Sequence, residues 1–317
     1  MTTVATDRAG VHENTYEDDT LTPRSVPQRR RRRRLLRLDR IALLGPALLS
    51  ALVTLRWFPL DRFLAAGDIT PFVRDGTGRE LFELWNHRST GAGSTGSVAA
   101  RLFEVGTIRF VGLLGGSAML AQHLFYALLI AFAAFGVAYL TRAFVEEPAI
   151  VAGAGILGVF NPFFLTHLPN PLIPLWVGIV ATAAGLVLRA ARGAPISGLR
   201  LAVVSLPASF LSVNPPQLAT ALLTVIAVVA GASVLTGVGG TRRALRLVVR
   251  SLPWLIVLNL WWIVPTALST VSRQGVVLSA QTRVQDWAWS HVQNSIPNVL
   301  SLTADWGWRH PEYSPWA

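Results

Sequence analysis

The side chains in this sequence best able to do acid–base chemistry are unevenly placed. It has 17 acidic residues, and between Glu147 and Asp286 there is none. The carboxylates that could act as a general base or hold a metal fall in two stretches. One holds Asp61, Asp68, Asp75, Glu80, Glu83 and Glu104, the other Asp286, Asp305 and Glu312. A base must lie within hydrogen-bond reach of the proton it takes, so proton-transfer chemistry is confined to wherever those stretches sit. Asp68 stands out because it follows Gly67 and precedes Ile69-Thr70-Pro71, a Pro-bounded turn. Such a carboxylate can be a base near the headgroup region or the cap of the next element, and the spacing alone leaves both open. Glu146 and Glu147, before Pro148, read as a solvated turn.

Other chemistries are excluded more sharply. The chain has no cysteine, so a disulfide framework, a thiolate metal site and a cysteine nucleophile are all absent. His167, His291 and His310 lack helical i, i+3 or i, i+4 pairing, so no metal site is expected from histidine. His123, inside an apolar segment, reads as a hydrogen-bonded packing residue. Gly153-x-Gly-x-x-Gly158 matches a dinucleotide fingerprint by letters, but no strand precedes it; close helix packing is the better account. A Gly-x-Ser-x-Gly nucleophile motif is missing.

The elements that must position these groups are apolar. Of the 317 residues 52% are hydrophobic and 14% charged, against about 25% charged in an ordinary soluble domain. Mean hydropathy is +0.46. Seven segments read as membrane spans, at 41–58, 118–141, 149–166, 172–188, 201–213, 218–238 and 251–268. The fifth is short and contains Pro207, which suits a broken or re-entrant segment. No span has Asp, Glu or Arg at its centre, which argues against an ion-coupled pathway. The expected fold class is an all-α polytopic membrane protein.

All 28 basic residues are arginine, giving a formal net charge of +11. Residues 1–28 read as a disordered tail, and the six-arginine run Arg29 to Arg34, with Arg37 and Arg40, as the basic flank of the first span. The expected organisation is therefore a disordered, basic cytoplasmic tail over 1–40 and a membrane domain over 41–317. That first span is expected to be retained, since no small-residue cleavage site follows it. Loops after spans two, four and six carry Arg142; Arg189, Arg192 and Arg200; and Arg242, Arg243, Arg246 and Arg250, while those after spans three and five carry no arginine. The positive-inside rule then predicts a cytoplasmic N-terminus in the plasma membrane and an outer location for segments 59–117 and 269–317. A bilayer partner explains the basic flank, so no nucleic-acid partner is expected.

Within the first outer segment, Arg79 to Asn86 has Leu81, Leu84 and Trp85 at helical spacing, fitting a short interfacial helix, and Ser89 to Ser97 reads as a flexible link. Asn161-Pro162, Asn170-Pro171 and Asn214-Pro215-Pro216 read as helix terminators. Eight of eleven tryptophans lie from Trp254 onward, which suits interfacial belts and, for some, sugar stacking.

Several short segments carry a family likeness. They are Phe82-Glu83-Leu84-Trp85-Asn86, Gln122-His123-Leu124-Phe125-Tyr126, Phe160-Asn161-Pro162, Ser212-Val213-Asn214-Pro215, Leu260-Trp261-Trp262 and Asn298-Val299-Leu300 to Trp306. With one span, a long outer segment bearing an early Asp, and paired spans joined by short turns, the chain from about residue 40 onward resembles a GT-C glycosyltransferase. More closely it is similar to the N-terminal membrane region of the actinobacterial α-(1→3)-arabinofuranosyltransferase D family.

That resemblance implies transfer of arabinofuranose from a polyprenyl-phosphate donor to a cell-envelope polysaccharide outside the membrane. It implies Asp68 as general base, with Asp75 in reserve. Arg62, Arg74, Arg79 and Arg88 would stabilise the leaving phosphate, and Trp85, Asn86, Asn161, Asn214 and Trp262 would face the sugar. No cofactor is implied beyond the lipid-linked donor, and divalent metal use stays open, as does the oligomeric state. The link Ser89 to Ser97 departs from the family, as does the end of the chain after seven spans, where relatives continue. The chain is therefore expected to be the front part of a longer transferase or a reduced relative, with little activity alone. The alternative is a non-catalytic membrane component or transporter of envelope glycan or lipid.

Overall fold

The computed structural model describes residues 26–57, 102–166, 170–211 and 215–271, and every element in them is helical. In chain order these are α1 (Val26–Trp57), α2 (Leu102–Leu113), α3 (Ala118–Thr141), α4 (Pro148–Leu157), α5 (Pro162–Thr166), α6 (Leu172–Ala191), α7 (Gly198–Ser205), α8 (Ala208–Leu211) and α9 (Pro215–Val271). The chain divides into two units, residues 1–38 and 39–317. The first holds the start of α1, where the arginine run is already helical. Helix therefore begins at Val26, well upstream of the expected boundary at residue 40.

Among the described residues, four helical stretches are long and apolar enough to cross a membrane: Leu38–Trp57, Ala118–Thr141, Leu172–Ala191 and Val234–Val264. At about 1.5 Å per residue, the 24 residues of α3 reach roughly 36 Å, enough for a hydrocarbon core about 30 Å thick. Their surfaces suit lipid. Ile41, Leu44, Leu48 and Leu52 on α1, and Leu252, Ile256, Val257 and Leu260 on α9, are exposed, while Ser50, Thr54, Gln122, Thr182, Ser251 and Asn259 are buried. In water that pattern would leave an extensive apolar face uncovered; in a bilayer it keeps polar side chains off the lipid. Thr54 does so locally, its Oγ1 donating to the Ser50 carbonyl at 2.7 Å.

The remaining expected spans differ in detail, for local reasons. Segment 149–166 is two helices, because Asn161 ends one and starts the next: its Nδ2 donates to the Leu157 and Gly158 carbonyls, both at 3.1 Å, and its Oδ1 accepts from the Phe164 N–H at 3.0 Å. Segment 201–213 is split into α7 and α8 around Pro207, which has no N–H to continue the ladder. Segments 218–238 and 251–268 share α9, broken only at Gly237, whose φ of 67° and ψ of −174° suit a residue without Cβ. The expected arginine-bearing loop 239–250 is thus helix, consistent with arginine's good helix propensity. Helix α2 lies inside what reads from sequence as the outer loop 59–117.

Helix α6 is the centre of the larger unit, with sixteen of its twenty residues buried. It meets α3 along a glycine seam: a Cβ at Gly136 would stand 2.9 Å from the Gly178 carbonyl oxygen, one at Gly178 would run into the Phe132 ring, and one at Gly185 would lie 2.7 Å from Tyr139 Cδ1. Lipid tails are as apolar as leucine, so such helices associate through close van der Waals approach, which small residues permit. The Gly153-x-Gly-x-x-Gly158 stretch works the same way. A Cβ at Gly155 would sit 2.9 Å from Pro46 Cβ of α1, one at Gly158 would sit 2.8 Å from Val137 of α3, and Gly153 meets nothing.

The two ends of this unit differ. At one end, Asp39 of α1 pairs with Arg142 at 3.3 Å, α6 closes with Arg189 and Arg192, and Arg243 Nε of α9 donates to the Ala191 carbonyl at 2.8 Å. At the other, Trp57 meets Phe160 edge-on, with centroids 5.6 Å apart.

Candidate functional site

The end away from the arginines carries the polar groups of most chemical interest. Helix α2 buries Val105 and Val111, and Glu104, seven residues before Val111 and so on the same helical face, is buried with them. Gln122 and His123, one turn into α3, are also buried, as is Ser209 on α8. Their sequence neighbours Phe103, Ala121, Leu124 and Phe210 belong to or pack against one apolar cluster that includes Val111, Phe125, Tyr126, Leu172 and Leu175. Phe125 organises it, making edge contacts with Tyr126 and with Phe210, each at 6.0 Å. Nδ1 of His123 lies 2.7 Å from the Met119 carbonyl, an oxygen that only accepts, so Nδ1 carries a proton.

Of the site residues expected from sequence, Asp68, Asp75, Arg62, Arg74, Arg79, Arg88, Trp85, Asn86 and Asn214 lie outside the described residues, as do the interfacial helix 79–86, the link 89–97 and the tail from 272. The two that are described occupy separate networks. Asn161 bridges the α4–α5 break through the three hydrogen bonds given above. Trp262 is 7% exposed, and its indole N–H donates to Asn259 Oδ1 at 2.8 Å. Asn259 in turn donates from Nδ2 to Ser205 Oγ at 2.9 Å and to the Leu255 carbonyl at 2.8 Å. This Ser205–Asn259–Trp262 chain ties α9 to α7 in an otherwise apolar contact.

Sequence reading singled out Trp262 but not its partners. Asn259 was legible as a polar residue inside an apolar run, whereas Ser205 joins it only through the packing of α7. Replacing Asn259 by Ala leaves the Trp262 N–H buried without an acceptor, which costs about 1–3 kcal/mol. A melting temperature several degrees lower in detergent is expected, and an unchanged one would mean the chain contributes no stability.

Among the described residues Glu104 is the one carboxylate at this end, since Asp39, Glu146 and Glu147 belong with the arginines. The sequence placed Glu104 among the carboxylates able to act as a base, but gave no sign that a helix would bury it.

Comparison of the chain with protein-family models, curated proteins and solved structures returns no match.

Proposed function

We propose that this chain is the membrane-embedded part of a glycosyltransferase of GT-C architecture, with seven apolar segments of which some are broken or re-entrant. It would take a sugar, arabinofuranose by resemblance, from a polyprenyl-phosphate donor and deliver it to a cell-envelope polysaccharide. One observation carries the reading. Segment 58–101 leaves the helices after Trp57 and rejoins them at Leu102, both at the end away from the arginines. The tail leaves from that end too: α9 passes the α6 terminus at Arg243 and runs on through Trp262, about 28 Å further by helical rise. Together with the positive-inside rule, this supports a reading in which both carboxylate-bearing stretches work on the outer face of a plasma membrane.

In this reading the acceptor hydroxyl oxygen bonds to the anomeric carbon as the bond from that carbon to the phosphate oxygen breaks. The hydroxyl proton passes to the Asp68 carboxylate, and the electron pair leaves with polyprenyl phosphate. Arg62, Arg74, Arg79 and Arg88 share the loop and supply cations for the charge that builds on the phosphate. A single base with fixed cations suffices for such a step, which is why the absence of carboxylates between Glu147 and Asp286 is no obstacle.

The test is transfer by the full chain reconstituted in bilayers, given polyprenyl-phospho-arabinofuranose and a short arabinan acceptor. Slow acceptor growth that Asp68→Asn removes is the expected result. Equal incorporation by that variant overturns Asp68 as base, and donor crossing the bilayer without any product overturns the transferase in favour of a transporter.

A further inference from the structure

The end of the helices that holds the arginines contains a cavity of about 300 Å3 that the sugar-transfer reading does not use. It lies where α3 and α6 stop side by side, and Arg142, Phe144, Glu146, Arg189 and Arg192 line it. Basic residues in the last turn of a helix complement its dipole, and long side chains reach outward from a membrane span, so their presence here is unsurprising. Their arrangement is more specific.

Arg142 is engaged: Nη2 donates to both Asp39 carboxylate oxygens at 3.3 Å, and Nη1 reaches the Val145 carbonyl at 3.4 Å. Arg189 and Arg192 are held differently. The Arg189 guanidinium stacks 4.9 Å from the centroid of the Tyr139 ring, and that of Arg192 lies 5.3 Å from the centroid of Phe144. A guanidinium held over an aromatic ring makes no hydrogen bond to it, so its N–H groups remain available to other acceptors. Among the described residues neither fork has a hydrogen-bonding or carboxylate partner, although Glu146 lines the same cavity. Three guanidinium groups and one carboxylate, Glu146, line the cavity, while Asp39, outside the lining, pairs with Arg142. Gly193, at φ 95°, turns the chain directly after Arg192, which lets α6 end flush with the cavity.

We propose that this cavity binds a phosphate group, received on the open forks of Arg189 and Arg192. Guanidinium forks match phosphate oxygens bidentately, and aromatic stacking holds both forks in place before the ligand arrives. The two sources of such a group are the headgroup of an anionic phospholipid and a free phosphate compound. A headgroup is favoured by position, because the cavity opens where two apolar spans end.

The experiment uses the purified full chain in neutral detergent. One arm titrates micelles doped with phosphatidylglycerol, a second uses phosphatidylcholine, and a third adds inorganic phosphate alone. Arg189→Gln/Arg192→Gln should weaken phosphatidylglycerol binding at least tenfold, while Arg200→Gln/Arg246→Gln, which removes equal charge from positions off the cavity lining, should change it less than twofold. Binding of phosphatidylglycerol over phosphatidylcholine supports the lipid source, and binding of inorganic phosphate with the same variant dependence supports the free one. Equal losses in both double variants, or no loss in either, overturn the proposal. Should the first double variant fail to fold, Arg192→Lys serves instead: it keeps the charge and loses the fork, and an unaltered affinity would overturn positioned recognition.

Discussion

Gly178→Leu should unfold the larger unit more readily than any other single change on its central helix. A Cβ at this position already runs into the Phe132 ring, and leucine adds three more carbons to the same place. Phe132 cannot simply swing away, because it packs against the apolar cluster that includes Phe125, Leu129 and Ile179. The two helices must then separate, and Gly136, whose missing Cβ lets the Gly178 carbonyl approach, loses its contact as well. Overpacking of a tight interior costs about 1–3 kcal/mol and more when backbones must move. Tryptophan fluorescence melts in detergent would read this as a loss of ten degrees or more, or as failure to purify folded material. Gly153→Ala is the control: it meets nothing and should be neutral or slightly stabilising through helix propensity. A Gly178→Leu melt matching that of the unaltered chain would show that the seam is not the contact joining α3 to α6.

Asp68→Asn is expected to lower transfer by about 10²–10⁴-fold, the range for removing a positioned general base. Asparagine keeps the shape and one acceptor oxygen, so donor and acceptor should still bind, and the loss should fall on kcat rather than KM. Asp75→Asn, seven residues further on in the same loop, should stay within a few-fold. Glu104 makes the comparison informative, because it is a carboxylate at the same end but buried between α2 and α3. If Glu104→Gln carried the large kcat loss and Asp68→Asn did not, the base would move from the loop to α2. If Asp75→Asn carried it, the base would shift within the loop. Loss in none of the three would remove the carboxylate mechanism altogether.

How far the sequence could be read varies along the chain, for physical reasons. Spans 118–141 and 172–188 match α3 and α6 closely, because an apolar run bounded by Ser117 and Arg142, or by Asn170-Pro171 and Arg189, has only one economical arrangement in a bilayer. Ser117 even accepts from the Leu120 N–H at 3.2 Å, as a residue at a helix start should. Segments 149–166 and 201–213 were harder, since composition does not reveal whether Asn161 or Pro207 ends a span or interrupts it. Arg242 to Arg250 read as a loop by charge, but arginine is a good helix former and nothing in that stretch breaks a helix. The cavity was invisible for another reason: the sequence supplied Arg142, Arg189 and Arg192 as topology markers, and only the parallel ends of α3 and α6 bring them to one place.

The burial of α6 has a consequence for how the protein is made. Its final neighbours are almost entirely protein, yet α9, which covers one side of it, is synthesised later. At about 5–20 residues per second, α6 waits on the order of seconds for that cover. During that interval Thr182 and the bare backbone at Gly178 and Gly185 can be shielded on the α3 side alone, with the opposite side against lipid. The helix must therefore be apolar enough to enter the bilayer by itself and small enough in side chain to leave it for a protein interior afterwards. Its residues answer two selections in succession, first by a membrane and then by its own neighbours.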